Sequence, residues 1–161
     1  MSLGIFLTWT FIEYFMHRFE LHKEVNLDDD AEADPSVLEA IFSRHVHHHV
    51  FMNQRYRIIL DMKSYLQFFV LGFVVTFWIA VQIRFIFLSS VLLGSLLYDW
   101  THLAFHFDDV MPKLIRNTYW FQSMQAAHMR HHFRDNGNEF GVTFDIWDRV
   151  FGTTKQAIKK K

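Results

Sequence analysis

The chain of 161 residues has no cysteine, almost no net charge and no internal repeat of fixed period. The missing cysteine excludes disulfides, thiolate metal ligands and a cysteine nucleophile. The net charge of −1 gives no sign of a basic surface, so we expect no nucleic-acid partner. We also expect no cleavable signal peptide, because the first apolar run has neither a basic flank nor a small-residue cleavage site. The length indicates one domain over residues 1–161.

Apolar residues are abundant and unevenly distributed. They make up 51% of the chain, which includes 19 Phe and 5 Trp, far more than an average soluble domain carries. Residues 65–100 contain only two charges and form a run that is too long for one membrane span and suits two. We predict spans over 65–81 and 83–100, each covering about 25–27 Å at ~1.5 Å per residue. Gln82 and Arg84 would lie at the hairpin tip, with Arg84 at the far headgroups.

The N-terminal segment 3–16 is apolar apart from Glu13 and is short for a membrane span. Together these segments predict an all-α integral membrane helical bundle. It would consist of the apolar hairpin, a short N-terminal membrane helix and a cytosolic histidine-rich helical cap. The alternative is a soluble all-helical bundle with buried hairpin helices. The length of the nearly uncharged run favours the membrane.

Ten of the eleven histidines fall into four short clusters. Imidazole is the commonest metal ligand in proteins, and a chain without cysteine has few other soft donors. So many paired histidines predict a metal site with more than one ion. The clusters are His17 and His22; His45, His48 and His49; His102 and His106; and His128, His131 and His132.

The spacing within the clusters matches one face of a helix. Positions i, i+3 and i+4 share an arc about 100° wide, so the clusters that begin at His45 and His128 each point one way. His102 and His106 are four residues apart and also share a face. His47 lies ~200° from His45 on a helix, and we expect it not to bind metal.

The first cluster needs an irregular helix. His17 and His22 are five residues apart, which is ~140° on a regular helix. Both can bind metal only if the helix ends or bulges between them. Glu13 lies one turn before His17, where a carboxylate would accept the second N–H of a ligating imidazole.

A second pair of polar residues precedes the third cluster. Asp99 shares a helical face with His102 and His106, and Tyr98 lies one turn before His102. An ionisable group within apolar sequence is costly, and it is a functional candidate for that reason. We therefore expect Glu13, Tyr98 and Asp99 to support the ligands from outside. The alternative is that the two carboxylates only reach the membrane interface.

The distribution of basic residues predicts the orientation in the membrane. Of the 16 Lys and Arg residues, only Arg84 lies on the hairpin-tip side. The positive-inside rule then places the other 15 in the cytosol. All four histidine clusters and the C-terminus would therefore be cytosolic in a multi-pass protein.

Several motifs, taken in order, resemble the fatty acid hydroxylase and sterol desaturase superfamily. The first part of the resemblance is EYFMHRFELH at 13–22 and YDWTHLAFH at 98–106. The tail, with HMRHHF at 128–133, FGVT at 140–143 and WDRVFGT at 147–153, looks most like the fatty acid 2-hydroxylase branch. The resemblance runs over nearly the whole chain.

The resemblance implies an oxidoreductase of the endoplasmic reticulum membrane. It implies that the ten cluster histidines bind two metal ions. The enzyme would use O₂ and electrons from cytochrome b5 to hydroxylate the acyl chain of a fatty acid or ceramide at carbon 2. Iron is the expected metal. Zinc would bind these histidines well but cannot cycle electrons, so zinc found there would stand in for iron.

Three features depart from the family pattern. The sequence contains no cytochrome b5 domain, which relatives often carry. The membrane region before the first histidine cluster is shorter than usual. Phe51-Met52-Asn53 stands where the family tends to have Pro-Met-Asp.

Other functions share parts of the pattern. A sterol oxidase or desaturase would use the same histidine clusters, although the tail argues against it. A truncated, non-catalytic membrane metal-binding paralogue would also keep the clusters. A b-type haem needs only two axial histidines and leaves the other clusters unexplained.

Overall fold

All regular secondary structure in the described part of the chain is helical, as predicted. The computed structural model describes residues 3–21, 45, 48, 49, 52, 55–59 and 62–154, and these contain no strand. The helices are α1 (Leu3–Phe15), a π-helix (Met16–Glu20), α2 (Arg55–Ile58), α3 (Met62–Val75), α4 (Val81–His106), a 3-10 helix (Asp108–Val110), α5 (Lys113–Arg116), α6 (Tyr119–Phe133) and α7 (Ile146–Phe151).

Helices α3 and α4 form the antiparallel apolar hairpin. Near the turn, Gly72 of α3 faces Leu88 of α4 so closely that an added Cβ would lie 2.9 Å from the Leu88 side chain. At the other end, the Tyr65 hydroxyl donates to the Ser95 carbonyl at 3.4 Å. The two helices therefore approach closely at Gly72 and are joined by a hydrogen bond at Tyr65.

The hairpin turn comes earlier than the sequence predicts. Helix α3 ends at Val75, and α4 already begins at Val81, so Gln82 and Arg84 belong to the first turn of α4. Arg84 is only 9% exposed. Its guanidinium donates to the carbonyls of Thr76 and Ile79, each at 3.0 Å.

Only α4, among the described helices, is long and apolar enough to cross a membrane. Its 26 residues correspond to about 39 Å at ~1.5 Å per residue. Helix α3 has 14 residues, or about 21 Å, and is shorter than a ~30 Å hydrocarbon core. Large apolar side chains on the outer face of the hairpin are exposed, among them Leu66, Val70, Val74, Trp78, Ile83, Ile86 and Leu93.

Helix α1 lies between α4 and α7. Gly94 of α4 allows the approach, because a Cβ there would lie 2.6 Å from ring atoms of Trp9. On the other side, Phe11 packs edge-on against Trp147 with ring centroids 4.9 Å apart. The Trp147 indole N–H also donates to the Thr10 hydroxyl at 3.1 Å. The N-terminal helix is thereby fixed to the last described helix.

A small apolar core places α6 beside the end of α4. It is formed by Ala104, Phe105, Met111, Phe121, Met124 and Val142. Helix α6 begins with a hydrogen bond from the Phe121 amide to the Thr118 hydroxyl at 3.3 Å, an N-terminal cap. Helix α5 follows Pro112, and the Gly137 amide donates to the Asp135 side chain at 3.0 Å in the turn after α6.

Candidate metal centre

Nine of the ten cluster histidines come together in two neighbouring groups. In each group, one ring nitrogen from every member lies within 4.8 Å of those of the others. His22 lies outside the described residues, as does His47. The five-histidine group is His48, His102, His106, His128 and His132, and the four-histidine group is His17, His45, His49 and His131.

The ring nitrogens of the five-histidine group converge on one small volume. The Nε2 atom of His128 lies 2.9 Å from that of His106 and 3.0 Å from that of His132. The Nε2 atom of His48 lies 3.2 Å from that of His132. Ligand nitrogens about 2.0–2.1 Å from one metal ion are separated by roughly 3 Å when they subtend near-right angles. The observed spacings therefore fit ligands of a single ion.

The chemistry of these side chains also fits a metal. Among the described residues, both ring nitrogens of His102 and the Nδ1 atoms of His48, His128 and His132 are buried and have no hydrogen-bond partner. Buried polar atoms without partners are costly and call for an explanation. A cation bound at the converging nitrogens supplies a partner for one ring nitrogen of His102, which has none within the described protein.

The four-histidine group is oriented by backbone carbonyls. The Nδ1 of His17 donates to the Phe140 carbonyl at 2.5 Å, and the Nδ1 of His131 donates to the Asn138 carbonyl at 2.6 Å. A carbonyl can only accept, so Nδ1 carries the proton in both rings and Nε2 presents its lone pair. The Nε2 atoms of His45 and His49 lie 3.0 Å apart.

The two groups divide each His-x-x-His-His cluster between them. His128 and His132 join one group, while His131 joins the other. The second cluster is divided in the opposite sense, because His45 and His49 stay together and His48 crosses over. Residues i and i+4 are about 40° apart on a helix, whereas residue i+3 lies about 60° to the other side of i. The single face that the spacing predicts is therefore shared by two neighbouring sites.

The bulge expected after the first histidine is present as the π-helix. The Leu21 amide donates to the Met16 carbonyl at 2.9 Å, an i to i+5 bond that widens the helix around His17. Such π-bulges occur frequently at functional sites. His17 is completely buried there.

Burial favours the neutral imidazole for His48, His128, His131 and His132. It lowers the pKa of His48 to about 3, and charges on neighbouring histidines lower it further. Burial likewise lowers the pKa values of His128, His131 and His132 below the ordinary range for histidine. Neutral imidazole is the form that binds metal.

Two buried carboxylates hold the loop that carries the Phe140 carbonyl. The amides of Phe140 and Gly141 donate to Asp148 at 2.9 and 2.8 Å. The next two amides, of Val142 and Thr143, donate to Glu13 Oε1 at 2.7 and 2.8 Å, and the Thr143 hydroxyl donates to Glu13 Oε2. Burial raises the pKa of Asp148, whereas the donated hydrogen bonds lower it. Glu13 therefore acts on the loop beside His17.

The Asp99 carboxylate accepts a hydrogen bond from helix α3, because the Tyr65 hydroxyl donates to Asp99 Oδ2. Within the described part of the chain, neither ring nitrogen of His102 is hydrogen-bonded. The ring of Tyr98 packs beside His102, with centroids 5.3 Å apart. The carboxylate therefore joins α3 to α4 through Tyr65.

Sequence reasoning missed the carbonyls of Asn138 and Phe140 and the carboxylate of Asp148. A backbone carbonyl has no residue-type signature, so nothing in the sequence distinguishes those two groups from others. Asp148 lies in the WDRVFGT segment, but its role depends on a loop that folds back on α7. The glycine at 141 is the one sequence feature that indicates a close approach here. In the structure, a Cβ at this position would lie 2.8 Å from Asp148 Oδ2.

Comparison with known proteins identifies the family. The fatty acid hydroxylase family matches residues 2–153 of this chain. The chain belongs to the fatty acid hydroxylase family. The two histidine groups and the loop that supports them thus lie in the region that defines this family.

Two fatty acid hydroxylase relatives illustrate the similarity. The chain is 32% identical over 156 residues to the ceramide very long chain fatty acid hydroxylase scs7 of Schizosaccharomyces pombe, with 94% of this chain and 41% of that protein covered. It is 30% identical over 162 residues to the dihydroceramide fatty acyl 2-hydroxylase FAH2 of Arabidopsis thaliana, with 96% of this chain and 61% of that protein covered. The chain therefore spans less than two thirds of the length of these relatives.

A solved structure of the fatty acid hydroxylase family has the same fold. It is described as full length scs7p with only the hydroxylase domain visible, and it superimposes with a TM-score of 0.65 at 27% identity. The alignment covers 96% of this chain and 54% of that one. The similarity extends over nearly all of the present helical fold.

Proposed function

We propose that this chain is the catalytic domain of a membrane-bound hydroxylase of lipid acyl chains. The observation that carries the proposal is the convergence of nine buried or half-buried histidines in two adjacent groups at one end of an apolar helix. Family membership supports the reaction class. Carbon 2 of a fatty acid or ceramide is the position we propose, in keeping with the names of the relatives.

The two groups would each hold one metal ion, with His22 as the tenth ligand and His47 not a ligand. Iron in these positions would supply the redox chemistry that O₂ activation requires, while zinc would bind without changing its oxidation state. The chain's own residues keep His48, His128, His131 and His132 neutral, fix the tautomers of His17 and His131 through backbone carbonyls, and exclude water. His17, His102 and His131 are at most 2% exposed.

The position of the centre suits a substrate within a bilayer. Helix α4 is about 39 Å long, which exceeds a hydrocarbon core of ~30 Å. Its last turn, with His102 and His106, would then reach the membrane surface. We propose the endoplasmic reticulum membrane, a multi-pass topology, and the histidine groups on the cytosolic side.

An exposed aromatic stripe on the N-terminal helix supports contact with the bilayer. Phe11, Phe15 and Phe19 recur every four residues along α1 and the π-helix, and they are 38%, 45% and 48% exposed. The rings of Phe15 and Phe19 lie 4.9 Å apart. The stripe lies on the exposed side of the helix, whereas His17 is fully buried, and we propose that the stripe contacts lipid acyl chains of the bilayer. Cytochrome b5 is the electron donor we propose.

Product analysis tests this function. The chain would be expressed in cells that lack acyl 2-hydroxylase activity, and their lipids would be analysed by mass spectrometry. We expect 2-hydroxylated acyl chains in ceramide or free fatty acid from the wild type. His128→Ala should abolish the product, while Asp109→Asn, an exposed carboxylate on Arg55, should leave it unchanged.

Other products would identify another member of the superfamily. Oxidised or desaturated sterols without hydroxylated acyl chains would contradict the proposed substrate. Unchanged lipids, from a membrane-inserted protein that contains both iron ions and is supplied with reductase and cytochrome b5, would indicate a non-catalytic metal-binding protein.

A further inference from the structure

A single peptide group lies between a buried carboxylate and one of the histidines. The N–H of the Phe140–Gly141 peptide donates to Asp148 Oδ2 at 2.8 Å. The carbonyl of the same peptide accepts the Nδ1–H of His17 at 2.5 Å. Asp148, the peptide and His17 form one continuous hydrogen-bonded chain, and Asp148 and His17 are at most 1% exposed.

This arrangement resembles a carboxylate–histidine pair with a peptide inserted between the partners. A carboxylate that accepts from a ligating imidazole fixes the ring and raises its basicity. Hydrogen bonds in a chain polarise one another, and the effect is larger at low dielectric. Negative charge at Asp148 polarises the peptide through its N–H and makes the Phe140 carbonyl a stronger acceptor. The hydrogen bond from His17 Nδ1–H to that carbonyl is thereby strengthened, which raises the basicity of His17 Nε2.

We propose that Asp148 is a positioning residue that orients His17 and strengthens its bond to the metal ion of the four-histidine group. The inference rests on the proposed metal-binding function and adds a difference between the two metal ions. Only one of the two ions would be tuned by a buried carboxylate through the backbone.

The surrounding contacts confine the effect to that ion. His131 donates to the Asn138 carbonyl, whose peptide N–H, on Glu139, ends on the neutral Thr153 carbonyl at 2.9 Å. In the five-histidine group, the Nδ1 atoms of His48 and His128 have no partner among the described residues. Charge at Asp148 therefore reaches the centre through His17.

The backbone at Gly141 allows the Asp148 carboxylate to approach closely. A Cβ on Gly141 would lie 2.8 Å from Asp148 Oδ2 and would also overlap the Phe144 carbonyl. The other oxygen, Oδ1, accepts from the Phe140 amide at 2.9 Å and from the Thr153 hydroxyl at 2.7 Å. Three donors thus fix the Asp148 carboxylate, and its Oδ2 atom accepts from the Gly141 amide.

Chelator-driven iron release from the purified, iron-loaded protein tests the proposal. Asp148→Asn should speed the release of one ion by ~10–100-fold, the usual cost of losing an outer partner of a ligand, and leave the other unchanged. Mössbauer spectra should show one altered iron signal, and it should be the signal that His17→Ala removes. The control is Asp145→Asn, because Asp145 lies in the same segment and pairs with the exposed Arg149. Its iron release should match that of the wild type.

Glu13→Gln separates tuning from simple anchoring of the loop. Glu13 holds the amides of Val142 and Thr143, whose peptides carry no histidine contact among the described residues. It should affect iron release much less than Asp148→Asn does. Equal acceleration by the two variants, faster release of both ions, or no change in Asp148→Asn would overturn the proposal. A wild type without iron would overturn the proposed function as well.

A measurement on the wild type decides the matter if Asp148→Asn fails to fold. Coupling between two sites is reciprocal, so bound metal must strengthen the hydrogen bond from the Gly141 amide to Asp148. Amide hydrogen exchange should slow more at Gly141 than at Val142 and Thr143 when metal is added. Equal slowing at the three amides would refute the relay.

Discussion

Arg84 and Ile79 are joined across the hairpin turn, where the Arg84 guanidinium donates to the Ile79 carbonyl at 3.0 Å. The same guanidinium donates to the carbonyls of Thr76 and Phe77 and lies over the Phe73 ring, 4.9 Å from its centroid. The turn that follows α3 places these carbonyls outside the regular helical hydrogen-bond pattern. In apolar surroundings, an unsatisfied carbonyl costs several kcal/mol. One buried arginine donates to all three, of which the Thr76 carbonyl also accepts from the Ile79 amide.

Arg84→Met should therefore destabilise the hairpin. The methionine keeps the apolar stem and removes every donor, so we expect a loss of at least about 2 kcal/mol of unfolding free energy. Thermal unfolding in detergent measures it. Arg149→Met is the control, since Arg149 pairs with Asp145 on the surface and such pairs contribute ~1 kcal/mol or less. Equal stability of the two variants would contradict this role of Arg84.

A pair of glycine substitutions tests the packing of α1 on α4. Gly94→Ala places a Cβ 2.6 Å from Trp9 ring atoms, and such overpacking costs about 1–3 kcal/mol. Gly4→Ala has nothing within 4 Å and should gain up to about 1 kcal/mol of helix propensity. The melting temperatures should move in opposite directions. A rise for Gly94→Ala would show that α1 does not pack there.

Metal content should follow the two histidine groups. We expect two ions in the wild type and loss of the ion of the four-histidine group in His131→Ala. His47→Ala should keep both ions, because the spacing directs His47 away from its neighbours. Elemental analysis of folded protein measures the content. One ion or none in the wild type, or loss of metal in His47→Ala, would contradict this assignment.

The metal-stripped protein should lose stability in acid. Burial lowers the pKa of His48 from 6.5 to about 3, so between those values the unfolded chain binds a proton that the folded chain does not. The unfolding free energy is therefore not reduced by this histidine above pH ~6.5. It decreases as the pH falls, by about 2 kcal/mol per such histidine at pH 5. The melting temperature should be lower at pH 5 than at pH 7.5. His48→Gln should show a shallower decrease, and a melting temperature independent of pH would refute the argument.

The orientation in the membrane remains a prediction from the 15 basic residues that lie away from the hairpin tip. A glycosylation tag at the C-terminus should stay unmodified, because that end is cytosolic by the positive-inside rule. The same tag on a long linker inserted after Trp78, which is 90% exposed in the turn, should be glycosylated. A modified C-terminal tag would reverse the topology.

Local spacing predicted that i,i+4 histidines share a helix face, and each such pair does fall in one group. It could not predict that His48 and His131 serve the opposite group from their neighbours, since that depends on how separate helices approach one another. Hydropathy found the hairpin but placed its turn at 82–84, whereas α3 ends at Val75 and α4 begins at Val81. A long arginine side chain can fold back onto preceding carbonyls, and no periodicity reports this.

The contact between His17 and Phe140 has a consequence for biosynthesis. The two residues are 123 positions apart, so the first ligand to leave the ribosome is oriented by a loop translated much later. The amides of that loop are held by Glu13 and by Asp148, which is later still. Metal loading of the four-histidine group must therefore wait until translation has passed Asp148. Chains arrested before that point would enter the membrane with both α1 and α4 in place and would still be unable to retain a full complement of metal.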